Sequence, residues 1–172
     1  MGLLEETKRN ALRHWIPPAR LQLDRWIEET IVLPSSVSAL PGKIKLYAYQ
    51  REIAAAISDS TIERVTLCKA SRLGFSTLLT ATIGHFAVNE PASVICLLPT
   101  QDDCRTYVVD GIEPIFGATP VLRDVLSEEH DEDRRNTLLH RRWPGGSLRV
   151  IPARSPRNLR LPPVSGEQQS RR

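Results

Sequence analysis

RVTLCKASRLGFSTLLTATIGHFAV, residues 64–88, decides how the chain is read. Arg64–Cys68 is a short run of apolar and β-branched side chains, the composition of a buried strand. Lys69–Thr77 follows with a single glycine, Gly74, and then Leu78–Val88 has helical composition. Further on, SVICLLP at 93–99 is a second apolar run, and the pattern predicts a helix from about Asp102 to Ile115. The turn WPGG at 143–146 precedes a third run, SLRVIPA at 147–153. Apolar strands separated by helices predict an α/β fold around a parallel sheet.

Upstream, 3–14 and 19–30 read as helices, the second with Leu21, Leu23, Trp26 and Ile27 on one face, and Pro17–Pro18 between them. LPSSVSALPG at 33–42 has loop composition, and a helix is expected from about Tyr49 to Ile57. Residues 119–128 form a weaker helix or turn region, and EEHDED at 128–133 reads as a solvated loop. The organisation expected is a helical N-terminal region over 1–45, a core over 46–153 and an Arg/Pro-rich tail over 154–172 without periodicity, for which disorder is expected.

Composition narrows the classes. With 41% hydrophobic and 25% charged residues in 172, the chain belongs with ordinary globular domains. No apolar run approaches the ~20 residues of a membrane-spanning helix, and MGLLEETKRN has acids and Lys8–Arg9 where a signal peptide needs an apolar stretch. A cytoplasmic location with no membrane partner is expected. Cys68, Cys96 and Cys104 are odd in number and lack CxxC spacing, so reduced thiols are expected, two of them in strands. Five arginines, at 154, 157, 160, 171 and 172, stand in the tail against Glu167, which exceeds the net charge of +3 for the whole chain. The body is therefore slightly acidic, and charge gives little support for nucleic-acid binding by it.

The segment 69–77 is the candidate site. A phosphate-binding loop needs a strand, a tight turn that exposes backbone N–H groups, and a helix whose N-terminus faces the anion. Gly74 is placed to allow close backbone approach, and Ser76 or Thr77 to offer a hydroxyl to magnesium, Ser76 being the metal candidate. Against the pattern GxxxxGK[ST], Lys69 takes the first glycine's place, Phe75 the lysine's and Ser76 the hydroxyl's. The segment therefore departs from the pattern, and an ordinary strand–helix loop with one glycine fits the same string.

The order of short motifs around the loop resembles the lambda-like GpA family of tailed-phage terminase large subunits. The resemblance runs from about Arg20 to Val164. It rests on LDRWIEETIVLP at 23–34, PGK at 41–43, YQREI at 49–53, KASRLGFS at 69–76, LPT at 98–100 and GSL…ARSPRNLR at 146–160. It implies a P-loop NTPase-like core that uses ATP and Mg2+ to package viral DNA into procapsids in the bacterial host cytoplasm. Double-stranded DNA, a small terminase subunit, the portal protein and other terminase subunits are the partners implied. Lys69 matches the family's displaced loop lysine, and an ammonium on a flexible stem reaches β/γ-phosphates from either end of a tight loop. Arg72 takes a phosphate-contacting role in the same reading, although a solvent-facing arginine fits as well. The region of Tyr47, Tyr49 and Gln50 would pack against adenine; Tyr49 also fits as a cap on the core. Thr100 fits better as a helix N-cap, with Asp103 in the first turn, than as a ligand contact.

An ATPase of this kind also needs an apolar strand ending in Asp–Glu to hold magnesium and activate water. The resemblance places it shortly after the segment matching 155–160, where this chain reads LPPVSGEQQSRR. Glu167 lacks a preceding apolar strand and is not assigned as the base; no catalytic residue is assigned. A partial copy, inactive by itself and without the family's nuclease domain, is therefore expected. The alternatives are a nucleotide- or partner-binding module that does not hydrolyse, and a helicase-like P-loop protein.

Overall fold

The computed structural model describes residues 21–126 and 137–154. The expected helix over 3–14, the acidic run 128–133 and the tail beyond Arg154 lie outside them. Helix α1 (Leu23–Thr30) leads into a two-residue strand β1 (Val32–Leu33), which pairs antiparallel with β2 (Gly42–Lys43). Helix α2 (Ala48–Ser58) follows, then the loop and helix α3 (Phe75–Val88). Strand β3 (Ser93–Leu98) runs into a long helical stretch made of α4 (Gln101–Thr106), a π-helical turn (Tyr107–Ile112) and α5 (Glu113–Ala118). Helix α6 (Pro120–Leu126) and the hairpin of β4 (His140–Trp143) and β5 (Gly146–Pro152) complete the described chain.

The main sheet is three-stranded, in the order β3–β5–β4. Strands β3 and β5 are parallel, from Ser93 opposite Ser147 to Leu98 opposite Pro152. Strand β4 adds antiparallel, from His140 opposite Arg149 to Trp143 opposite Gly146. The fold is therefore α/β, as expected, with a mixed sheet where a parallel one was expected. The WPGG turn joins two strands, and β4 was hidden because His140-Arg141-Arg142 is too polar to read as a buried strand.

Residues 64–68 form no strand, which corrects the sequence reading. A strand needs a neighbour to close its ladder, and β3 and β5 pair with each other instead. Ile62, Val65 and Leu67 are left exposed, as is Cys68. The outer edge of β3 likewise has no partner among the described residues, and Ile95 and Leu97 on it are exposed.

Helix α3 is the centre of the core. Leu78, Thr80, Ala81, Thr82, Ile83, Gly84, His85 and Ala87 are all buried, so the helix is covered on most of its circumference and shows little amphipathic pattern. Gly84 lets α6 and α1 close on it: a Cβ there would lie 2.8 Å from Leu122 Cδ1 and 3.5 Å from the Trp26 ring. Cys104, Val108, Ile112, Ile115 and Phe116 continue the core along the next helical stretch. Its π-helical turn has a local cause. Pro114 has no N–H to return to Asp110, and the Glu113 N–H reaches back to Val108 O, five residues earlier. Cys96 and Cys104 are buried free thiols, and burial pushes both above the ordinary thiol value. No helix among the described residues is long and apolar enough to cross a membrane.

His85 sits in this core against Trp26 and Phe86, each ring centroid at 5.3 Å. Asn89 Nδ2 donates to His85 Nε2 at 2.7 Å and to Leu21 O at 3.1 Å. The first of these contacts needs a neutral ring, and burial holds the His85 pKa below its ordinary value. An unfolded chain then binds a proton that the folded chain refuses. The stability His85 contributes is full above the ordinary value of 6.5 and is lost as pH falls through the lowered folded value. Unfolding by urea on either side of that value should show a loss of stability on acidification that is smaller in His85→Gln; an equal loss in both chains would exclude His85 as its source.

The exposed apolar residues at 62–67 and the open edge of β3 make a second prediction. Unpaired edges with apolar side chains recruit other strands. Sedimentation velocity on the purified chain should show association that grows with concentration and is reduced by Leu97→Lys. A single monomeric species across a wide concentration range would contradict it.

Candidate functional site

The site is built where the loop after residue 68 meets the N-terminus of α3. Gly74 is the N-cap of that helix and sits in left-handed backbone, φ 74°. Arg72, two residues earlier, is also left-handed, φ 63°, which is costly for a residue with a Cβ. Two such residues in three fold the loop back on itself, so that its carbonyl at Leu73 faces α2.

That carbonyl is the anchor. Gln50 Nε2 donates to Leu73 O at 3.2 Å, and Tyr49 Oη donates to the same oxygen at 3.1 Å. The other end of the Gln50 amide, Oε1, accepts from the Tyr47 N–H at 3.0 Å and so closes the start of α2. Gln50 is only 5% exposed and both ends of its amide are used. A Cβ on Gly74 would lie 2.9 Å from Gln50 Nε2, so the glycine is needed for the contact as well as for its φ.

Around this anchor lies a cleft of about 670 Å3, within the size range of small-molecule sites. The structure brings Tyr49, Gln50, Arg72, Gly74 and Thr77 of the expected site residues to its lining. Lys69 and Ser76 are not in that lining. The Lys69 ammonium lies 5.8 Å from the centroid of the Phe75 ring, and Ser76 is exposed on the first turn of α3. The hydroxyl of the pair that faces the cleft is Thr77. Tyr47 and Tyr49 stack nearly parallel at 5.7 Å, and the Tyr47 ring is 67% exposed.

The opposite wall is β2 and the residues after it, of which only Gly42 fell within the loop read at 33–42. Lys43, Lys45 and Tyr47 alternate with Ile44 and Leu46. The first three are exposed, while Ile44 packs on the core and Leu46 is buried. Period-two alternation was the available signal for this wall. It is tied to the rest of the fold by Glu28, whose Oε1 accepts from Leu46 N at 2.9 Å and from Arg51 Nη2 at 2.8 Å. The hydrogen bond from Arg51 and that from the Leu46 N–H hold the Glu28 carboxyl below its ordinary pKa. Among the described residues the cleft lining thus carries Lys43, Lys45 and Arg72 and no Asp or Glu. Its chemistry suits an anion with an aromatic or planar part.

A second hollow of about 320 Å3 lies between α3 and β3, lined by apolar groups such as Leu79, Phe86, Val94 and Ile95, with no charged side chain. At the end of β3, Thr100 is a helix N-cap as the sequence suggested: Thr100 Oγ1 accepts from Asp103 N at 3.1 Å, and Asp103 Oδ2 accepts from Thr100 N at 3.1 Å. Among the described residues no group of three or more His, Cys, Asp or Glu side chains is placed to hold a metal ion.

Gly74→Ala tests the anchor. Left-handed backbone at a residue with a Cβ costs about 1–2 kcal/mol, and the methyl group also presses on Gln50. Denaturant unfolding should show a loss of at least that order; an unchanged midpoint would mean that the loop does not hold this conformation.

Comparison with known proteins places the chain in a family. The family model described as phage terminase large subunit gpA, ATPase domain, matches residues 38–165, a span that contains every residue lining the cleft except Leu33. The terminase large subunit of Escherichia phage lambda is 25% identical over 145 residues, covering 80% of this chain and 23% of the relative. That of Enterobacteria phage P21 is 23% identical over 131 residues, covering 76% of this chain and 20% of the relative. The chain thus spans less than a quarter of the length of the curated relatives it matches. No solved structure matches the fold significantly. The matched span covers most of the chain and favours this family over the helicase-like alternative: the chain belongs to the family of gpA-type ATPase domains of phage terminase large subunits.

Proposed function

We propose that the chain is the nucleotide-binding part of a DNA-packaging motor, with a P-loop NTPase-like core that takes ATP and Mg2+ at the cleft beside α3. The observation that carries the proposal is the loop 69–77 at the N-terminus of a 14-residue helix, opening on a cationic and aromatic cleft inside the family match. The residues present fit the triphosphate. Backbone N–H groups at the start of α3 point at an anion, and Arg72, Lys43 and Lys45 add positive charge. Lys69 reaches the phosphates from the start of the loop once its stem turns away from Phe75. The Tyr47 face stacks on the base. The hydroxyl of Thr77 or Ser76 would hold magnesium, which would supply neutralisation of the phosphate charge.

Hydrolysis asks for more than these residues offer. A positioned carboxylate must take the proton of the attacking water, and none among the described residues lines the cleft. Its absence from a site costs about a hundredfold to ten-thousandfold in rate. The same observation supports the second reading, a module that binds nucleotide without turning it over unless another strand or chain supplies the acids. Double-stranded DNA, the small terminase subunit, the portal protein and other terminase subunits are the partners in the motor reading, and the bacterial host cytoplasm its setting.

A titration of the purified chain with MgATP, paired with phosphate release, tests both parts. Binding that is lost in Lys69→Ala, with turnover far below motor rates, is the expected outcome. Binding unaffected by Lys69→Ala would remove Lys69 from the site, and rapid turnover abolished by that substitution would reveal a general base among the residues of this chain.

A further inference from the structure

The cationic wall of the cleft hangs on a ladder that runs out. Gly42 pairs with Leu33 and Lys43 with Val32, and Ile44 N donates to Ile31 O at 3.2 Å. The next donor on that side is Leu46 N, which by the same register would face Glu29, and Glu29 lies in helix α1. Carbonyls in a helix point along its axis to their own N–H partners; Ile27 O, for example, accepts from Ile31 N at 3.0 Å. Leu46 is buried, so its N–H needs another acceptor. The side chain of Glu28 supplies it at 2.9 Å, and the same Oε1 accepts from Arg51 Nη2 at 2.8 Å.

One carboxylate therefore ties residue 46, at the end of the wall, to residue 51, on the helix that carries Tyr49 and Gln50. Glu28 is not itself in the lining. Across the cleft, the Arg72 guanidinium, the Thr77 hydroxyl and the backbone N–H groups that open α3 are fixed separately, by the loop and its Leu73 anchor. Lys43 and Lys45 meet the same anion as those groups only while wall and loop keep their relative placement, which supporting contacts outside the site must enforce. We propose that Glu28 is a positioning residue for the cationic wall, setting Lys43 and Lys45 against Arg72 and Thr77 so that both sides hold one polyphosphate. The inference rests on the nucleotide-binding reading given above and adds to it a residue that touches no ligand.

Equilibrium titration of the whole chain with MgATP tests it in the wild type, Glu28→Ala, the double variant Lys43→Ala/Lys45→Ala and the triple variant. Glu28→Ala should weaken binding about tenfold, the scale of one hydrogen bond to a charged group. With both lysines replaced, the same change should alter binding by less than about twofold, because residues that act through one another do not add. Equal factors in the two backgrounds would overturn the inference and leave nucleotide binding standing, as would an unchanged affinity in Glu28→Ala or in the double variant. Glu28→Gln keeps the acceptor for the Leu46 N–H and should stay within about threefold of wild type; a loss as large as that in Glu28→Ala would also overturn the inference. Trypsin reads the wall without ligand. Cleavage after Lys43 and Lys45 should accelerate in Glu28→Ala more than cleavage elsewhere, and a uniform rise at all sites would mean a general loss of fold in place of a positioning role. No binding of MgATP by the wild-type chain would overturn the nucleotide reading and this inference together.

Discussion

The carbonyl oxygen of Leu73 is the point on which the site depends. It accepts from Gln50 and from Tyr49, both on α2, and it belongs to the loop that opens α3. Two left-handed residues, Arg72 and Gly74, turn it toward α2. If that carbonyl pointed elsewhere, the Gln50 amide would be a buried donor without a partner, a state that costs about 1–3 kcal/mol. The loop conformation, the start of α2 and the stacked tyrosines are thus consequences of one contact. Through Glu28, the opposite wall of the cleft is fixed to α1 and α2 in the same way.

The electrostatics of the cleft follow from what lines it. Three cations face one space and the one acid fixed beside this wall, Glu28, is already satisfied by Arg51 and the Leu46 N–H. Such a space attracts an anion and offers it no competing carboxylate. Among the described residues it also carries no carboxylate to take a proton from water. In the nucleotide-binding reading proposed above, binding by residues 43–77 and catalysis are therefore separable properties.

The other feature of the fold is its unfinished pairing. The apolar run at 64–68 has strand composition and no ladder, while β3 presents an open edge with Ile95 and Leu97 exposed. Helix α3, by contrast, is enclosed by α1, α6 and the sheet and supplies the core that holds the loop in place.

The sequence by itself determined the α/β class, helices near 49–57 and 78–88, strands β3 and β5, and the N-cap at Thr100, because each rests on local composition or spacing. It also pointed to 69–77 as the loop and to the terminase resemblance that the family match bears out. Tertiary structure decided the rest. Whether 64–68 becomes a strand depends on a neighbour, which no local pattern encodes. The pairing of polar β4 with β5 depends on the turn at Pro144–Gly145 bringing them together. The engagement of Gln50 at both ends depends on a carbonyl 23 residues away. That Lys43 and Lys45 share a cleft with Arg72 follows from Leu46, just after β2, being held by Glu28 of α1, a contact between segments that become adjacent only once the core has formed.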